Sequence, residues 1–283
     1  MMKAKVKMAD IGKSNSLRVV KQVDFGLYLD GGEHGEILMP LRYVPQEWDI
    51  DEYLDVFVYL DSEDRPVATT ELPRVQVGEC AHLSVIEVGK FGAFLDWGVT
   101  KDLLVPFKEQ RVPMEAGRSY TVYLYIDKSG RIAATSKLSA HLAEESEGIF
   151  VAGEEVLLQI ASRTELGYKA VVNGTHLGLV HTSEVLNPIR VGQTLGGYIH
   201  SIRPDGRINL TFHPKSNEKR AELSLDILEY LEDNGGVSPV TEKSDAAEIQ
   251  KTFGCSKSSF KKAIGKLYKE RKIKIESGKI TLL

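Results

Sequence analysis

The sequence predicts a mainly β protein that ends in an α+β domain: three tandem five-stranded barrels of the OB type, followed by a winged-helix domain. Three observations point there. A unit of about 65–75 residues recurs three times, too long for a solenoid repeat and about the size of a small β-domain. Each copy holds short β-branched or alternating runs broken by Gly and Asp turns. Beyond residue 222, apolar residues switch to helical spacing.

The repeat is clearest between "DFGLYLDGGEHGEILMP" (24–40) and "KFGAFLDWGVTKDLLVP" (90–106). Both read Phe-Gly-x-aromatic-Leu-Asp, then a glycine turn, an acidic residue and an aliphatic run closed by proline. Both copies end on a similar strand, "RPVATTEL" (65–72) and "GRIAATSKL" (130–138). A weaker third copy starts at "ELGYKAVVNGTHLGLVHTSEV" (165–185) and ends at "GRINLTFHP" (206–214). In the second copy "AHLSVIEV", "AFLDW", "KDLLVPF", "SYTVYLYID" and "GRIAATS" give five strands. A five-stranded Greek-key barrel fits, and strand count alone leaves an SH3-like barrel open. The expected boundaries are 1–72, 73–139 and 151–214 for the barrels and 215–283 for the winged helix. Residues 140–150 form a linker, and "SAHLAEESEGIF" (139–150) reads as helical.

The C-terminal segment begins with "LSLDILEYLEDNGG", where Leu223, Ile227, Leu228 and Leu231 share one helical face before a Gly-Gly stop. "KSDAAEIQKTFG" reads as a second helix. "CSKSSFKKAIGKLYKERKI" reads as a third, with Ser256 as its cap and Phe260, Ile264 and Leu267 as its apolar stripe. "KIKIESGKITLL" closes the domain as a hairpin. Helix, helix, turn, helix, hairpin is the order of a winged helix. From Lys251 to Lys274 nine basic residues face one acid, Glu270, although the whole chain carries a net charge of −4. Lys257, Lys261, Lys262, Lys269, Arg271, Lys272 and Lys274 therefore form a candidate phosphate-binding face. With little Asn, Gln or Arg suited to bidentate base contacts, the face suits backbone binding without strong sequence choice.

The ordered motifs "KFGAFL" (90–95), "GLVHTS" (178–183) and "VGQTLGGYIHSIRPDGRINLTF" (191–212) resemble the S1 RNA-binding domain of the OB-fold group. Over its whole length the chain resembles the conserved virulence factor B family of bacterial proteins, which carries tandem S1-like domains and a C-terminal winged helix. That likeness rests on "FGAFLDWG", "KDLLVPFKEQ", "SYTVYLYID" with "GRIAATSKL", and the terminal segment. The resemblance implies that Gly92 sits in the tight turn between the first two strands, so that Phe91 and Phe94 both face outward. Bases stack on such rings at about 1–3 kcal/mol each with little sequence preference. Lys90 would then meet a phosphate. In the third unit the implied RNA-binding residues are Tyr168, Lys169, His181, Arg203 and Arg207. The copies depart from the pattern. Pro40 and Pro106 stand where the third unit has His181, and Lys169 replaces the strand aromatic. The acidic setting of "DFGLYLDGGE" points Phe25 and Tyr28 toward the interior and gives the first barrel a packing or spacing role.

Totals narrow the function further. Hydrophobic residues make up 42% and charged residues 27%, ordinary for a globular chain. No apolar run approaches the roughly 20 residues needed to span a bilayer. The positive N-terminus lacks the apolar core of a secretory signal, and two distant cysteines suit a reduced cytoplasm. The seven histidines are scattered, with His176 and His181 the nearest to metal-ligand spacing. No phosphate loop or nucleophile elbow occurs. The expectation is a monomeric, non-enzymatic protein without cofactor. It would bind single-stranded RNA, an mRNA or a ribosome-associated RNA, in post-transcriptional regulation. A DNA-binding transcription regulator and a protein-interaction scaffold are the competing readings.

Overall fold

The computed structural model describes residues 8–185, 187–213, 216–276 and 278–283, with the backbone alone for 216–222. The chain divides into two compact units, residues 1–211 and 212–283.

The first unit holds three barrels of one topology. Barrel 1 comprises β1 (Lys13–Val23), β2 (Gly26–Asp30), β3 (Glu36–Pro40), β4 (Tyr53–Leu60) and β5 (Pro66–Thr69). Barrel 2 comprises β6 (Cys80–Val88), β7 (Gly92–Asp96), β8 (Leu103–Pro106), β9 (Ser119–Ile126) and β10 (Ile132–Thr135). Barrel 3 comprises β11 (Glu155–Thr164), β12 (Gly167–Val172), β13 (His176–His181), β14 (Thr194–Ile202) and β15 (Ile208–Thr211). Barrels 1 and 3 close in the order first-second-third-fifth-fourth, the third and fifth strands pairing in parallel. Barrel 2 keeps the same order as a five-stranded sheet. This is the OB arrangement.

Alternation fills each interior. Leu27 and Leu29 of β2 point inward against Ile37 and Met39 of β3, and Ala93 and Leu95 of β7 meet Leu103 and Val105 of β8. The first strand of every barrel carries a bulge at the same place, at Val19/Lys21, Val85/Glu87 and Ile160/Ser162. The extra residue bends the long strand, so its two halves pair with different neighbours.

Gly92 does not lie in the turn. It is the first residue of β7, opposite Pro106. A Cβ at Gly92 would sit 2.1 Å from the Val105 carbonyl oxygen, so no side chain fits between the two strands. Gly26 and Gly167 repeat this geometry, each 2.0 Å by the same measure from the carbonyls of Met39 and Val180. Close backbone approach is what demands glycine here.

Barrels 1 and 2 share a core. Phe57 and Tyr59 of β4 face away from their own barrel yet are buried, in one core cluster with Trp97 and other residues of barrel 2. Phe57 meets Trp97 edge-on at 5.5 Å between ring centroids. Lys101 Nζ donates to the carbonyls of Leu60 and Asp61 at 2.8 and 2.7 Å. Barrels 2 and 3 join through Leu138, Leu142, Ala161, Val171 and Leu177, with Tyr123 stacked on His141 at 4.7 Å.

The segment expected to be a helical linker is not helical beyond a 3-10 turn at Leu138–Ala140. Ala143 instead bridges to His176, and Glu145 bridges to Arg207. The buried Leu142 anchors it, so its apolar residue serves barrel 3 rather than a helix stripe.

The second unit has α1 (Ser216–Asp233), β16 (Val237–Ser238), α2 (Ala246–Phe253), α3 (Lys257–Lys269), β17 (Ile273–Glu276) and β18 (Lys279–Leu282). The strands form a sheet in the order β16-β18-β17, which adds β16 to the expected hairpin. Leu223, Ile227 and Leu231 of α1 pack with Phe260, Ile264 and Leu267 of α3. Asp245 and Ser256 cap the N-termini of α2 and α3, and Gly254 ends α2 in the left-handed conformation.

Two glycine substitutions should separate constraint from tolerance. Gly92→Ala should destabilise the first unit by about 1–3 kcal/mol, since the methyl overlaps a strand carbonyl. Gly265→Ala, where a Cβ meets nothing within 4 Å in the middle of α3, should stabilise the second unit by about 0.5–1 kcal/mol. Thermal denaturation followed by circular dichroism reads both, and equal effects would contradict the strand-approach argument.

Candidate nucleic-acid interface

The glycine that opens the second strand of each barrel places the residue before it on the outside. The Phe25, Phe91 and Leu166 carbonyls accept from the N–H groups of Leu41, Phe107 and Thr182 at 2.9, 3.3 and 3.0 Å. These side chains are left 57%, 68% and 65% exposed. Two residues after each glycine, the next outward position holds Tyr28, Phe94 and Lys169, all half-buried. Each lies opposite the bulged strand, at Lys21, Glu87 and Ser162.

Barrel 1 therefore differs from the sequence expectation. Phe25 is exposed, and Tyr28 meets it edge-on at 6.4 Å. Lys21 Nζ lies 4.9 Å from the Tyr28 ring centroid. The acidic neighbours did not drive the rings inward, because Gly26 fixes which positions face out. In barrel 2 the expected arrangement appears: Lys90 Nζ stands 5.9 Å from the centroid of the exposed Phe91. Both barrels thus present a phenyl ring, a second aromatic and a lysine ammonium, that of Lys21 also being paired with Glu36 at 2.5 Å. An ammonium near a ring face is attracted by the ring quadrupole.

Pro40, Pro106 and His181 occupy one position. Each pairs with the opening glycine, and their backbone angles agree (φ −57°, −57° and −67°; ψ 147°, 148° and 150°). A proline fits because φ is already near its fixed value. His181 is half-buried beside a 3-10 turn, Thr182–Glu184.

Barrel 3 substitutes charge for rings. Lys169 Nζ donates to Glu144 Oε1 at 2.7 Å, and Arg207 Nη2 lies 3.8 Å from Glu144 Oε2. The Lys169 hydrogen bond holds the Glu144 carboxyl below the usual carboxylate range. Arg203 pairs with Asp205 at 3.1 Å. These groups border a cleft of about 960 Å³. Arg111, from barrel 2, and Arg163, at the end of β11, also line it. Neither was singled out from the sequence. Arg111 follows "PFKEQ" with no periodic signal, and only the packing of two barrels brings it to Arg163. Tyr168, beside Lys169, is half-buried on β12.

On α3 the buried stripe faces the domain core, leaving Lys261, Lys262, Lys266, Tyr268 and Lys269 exposed. The expected basic face divides in two. Lys257 folds back to donate to the Ser244 carbonyl at 2.7 Å. Lys272 and Lys274 lie 3.5 and 2.8 Å from Glu270 and Glu276. Among the described residues, Lys261, Lys262, Lys269 and Arg271 have no carboxylate within salt-bridge distance, and all four are exposed.

Cys80 and Cys255 are free, and burial pushes the Cys80 thiol up to about 12. Among the described residues no three His, Cys, Asp or Glu side chains are grouped to hold a metal ion. Among them, too, no helix is long and apolar enough to cross a membrane.

Comparison with known proteins agrees with this architecture. The S1 domain model matches residues 11–71 and 77–137, and the CvfB-like winged helix domain model matches 226–282. The uncharacterized protein YitL of Bacillus subtilis is 28% identical over 280 residues, covering 94% of this chain and 92% of its own. Conserved virulence factor B of Staphylococcus epidermidis is 29% identical over 267 residues, covering 90% and 89%. A crystal structure described as a multidomain protein with nucleic acid binding domains from Streptococcus pneumoniae aligns at 24% identity and a TM-score of 0.40, covering 96% and 98%. With S1 domains and, C-terminal to them in sequence, a CvfB-like winged helix domain, the chain is a homologue of the proteins named conserved virulence factor B and shares their domain types.

Proposed function

We propose that this protein binds single-stranded RNA without catalysis and with little sequence preference, and that it acts on transcripts or ribosome-associated RNA after transcription. The observation that carries this reading is the repeated outward pair of aromatics with its lysine, Phe25–Tyr28–Lys21 and Phe91–Phe94–Lys90. Phenyl rings left more than half exposed gain little from burial, and bases from a single strand can stack on them. The neighbouring ammonium groups suit the phosphates between such bases. A duplex keeps its bases stacked inside and offers these rings nothing. The exposed lysines of α3 add phosphate contacts that carry no base code.

Fluorescence anisotropy with a labelled 20-nucleotide uridine RNA tests this. Phe91→Ala and Phe25→Ala should each weaken binding by about fivefold or more, the loss of one stacked base. A 20-base-pair DNA duplex should show no such sensitivity. Ring variants that bind as tightly as the parent would sink the stacking model, and ring-independent duplex binding would favour a transcription regulator.

The α3 lysines make a second test. Lys261→Glu or Lys262→Glu should weaken binding and flatten the salt slope by about 0.7 per lost phosphate contact. Lys257→Glu should do less, because the Lys257 ammonium already serves the Ser244 carbonyl. Equal losses at all three positions would refute this division of roles.

A further inference from the structure

The cleft between barrels 2 and 3 contains its own anion. Glu144 enters it from the linker, between Lys169 and Arg207. The backbone on both sides of Glu144 is pinned. Leu177 N–H donates to the Ala143 carbonyl at 2.8 Å, and Ser146 N–H donates to the Gly206 carbonyl at 2.9 Å. The side chain can rotate while its Cα stays in place. Four arginines and one lysine border the cleft against two carboxylates, Glu144 and Glu165. Arg111 and Arg163 line the same cleft, and Arg111 donates to Ser162 Oγ at 3.3 Å. Leu166, Leu177, Leu179 and Ile208 give the cleft an apolar component on which a base or ribose can lie.

The geometry points to an internally competed phosphate site: Glu144 stands where a backbone phosphate of the RNA would sit, and binding displaces its carboxylate from Lys169 and Arg207. Barrel 2 completes the site of barrel 3 through Arg111, so the two barrels act as one binding unit. This inference rests on the RNA-binding reading above and adds its regulation. The competing carboxylate sets a threshold. A ligand must offer an anion that reaches both cations at once to replace it, as the two free oxygens of one backbone phosphate can. Because Lys169 and Glu144 are partly exposed, the exchange is shallow in energy.

Glu144→Gln removes the charge and keeps the shape. In the same anisotropy assay it should bind the uridine 20-mer about three- to tenfold more tightly than the parent. Glu147→Gln, which makes the same change of net charge on the linker outside this cleft, should move affinity less than twofold. Arg111→Ala and Arg163→Ala should each weaken binding of the Glu144→Gln protein. Melting curves confirm that each variant is folded. Should Glu144→Gln bind no tighter while Phe91→Ala still loses affinity, the competed site is wrong and the stacking model survives. Should no form bind RNA, both are wrong. Equal gains in the two glutamine variants would reduce the effect to net charge and overturn the site.

Discussion

The approach of the second strand to the third, at a residue without a Cβ, organises everything else in the first unit. Gly26, Gly92 and Gly167 each bring the chain so near a strand carbonyl that any side chain would overlap it. Once that contact is set, the residue before the glycine must face outward, since its carbonyl is bonded across to the third strand. Along the strand that follows, alternation keeps Leu27 and Ala93 inward and turns Tyr28 and Phe94, two positions after the glycine, outward. The barrels differ in what they place on these positions and not in how they present it. Barrels 1 and 2 show aromatics with lysines; barrel 3 shows leucine and lysine.

Exposed apolar side chains are usually isolated and need no explanation. Here they recur at equivalent positions of a repeated fold, with cations beside them. At the same time two other outward aromatics of barrel 1, Phe57 and Tyr59, are covered by barrel 2, while Tyr53 on the same face of β4 stays exposed. The molecule buries the rings at the junction of barrels 1 and 2 and leaves Phe25 and Phe91 uncovered, as it does Tyr53 and Phe107. Junction and surface are therefore set by the same strand alternation, read on different strands.

Charge follows the same economy. The chain is acidic overall, and many of its cations are engaged: Arg18 with Asp30 and Asp51, Arg65 with Asp61 and Glu63, Lys274 with Glu276. Exposed pairs of this kind add little stability. Their consequence is to remove positive field from those regions and concentrate it where cations remain free, on α3 and around the inter-barrel cleft. Glu144 belongs to both categories, since it neutralises Lys169 and Arg207 at a place where a phosphate could do the same.

The pairing that makes the barrels OB-type appears only in the fold, while the barrel count, the five strands of the second repeat and the helix order of the winged domain are legible in the sequence. These depend on local periodicity, glycine and caps, and each signal lies within a few residues of what it specifies. The sequence also identified Phe91 with Lys90, whose arrangement is local to one turn. The exposure of Phe25 was masked by acidic neighbours, because net charge along the chain says nothing about a strand's facing. The linker reads as a helix locally, but Leu142 and Phe150 are buried against residues distant in sequence, such as Val171, Leu177 and His176. The meeting of Arg111 with Arg163, the ion pairs that engage Lys169 and Arg207, and the hydrogen bond from Lys257 to the Ser244 carbonyl follow from tertiary packing. Side chains distant in sequence become partners only when separate folded elements fix their Cα atoms within reach, and a local pattern holds no record of that distance.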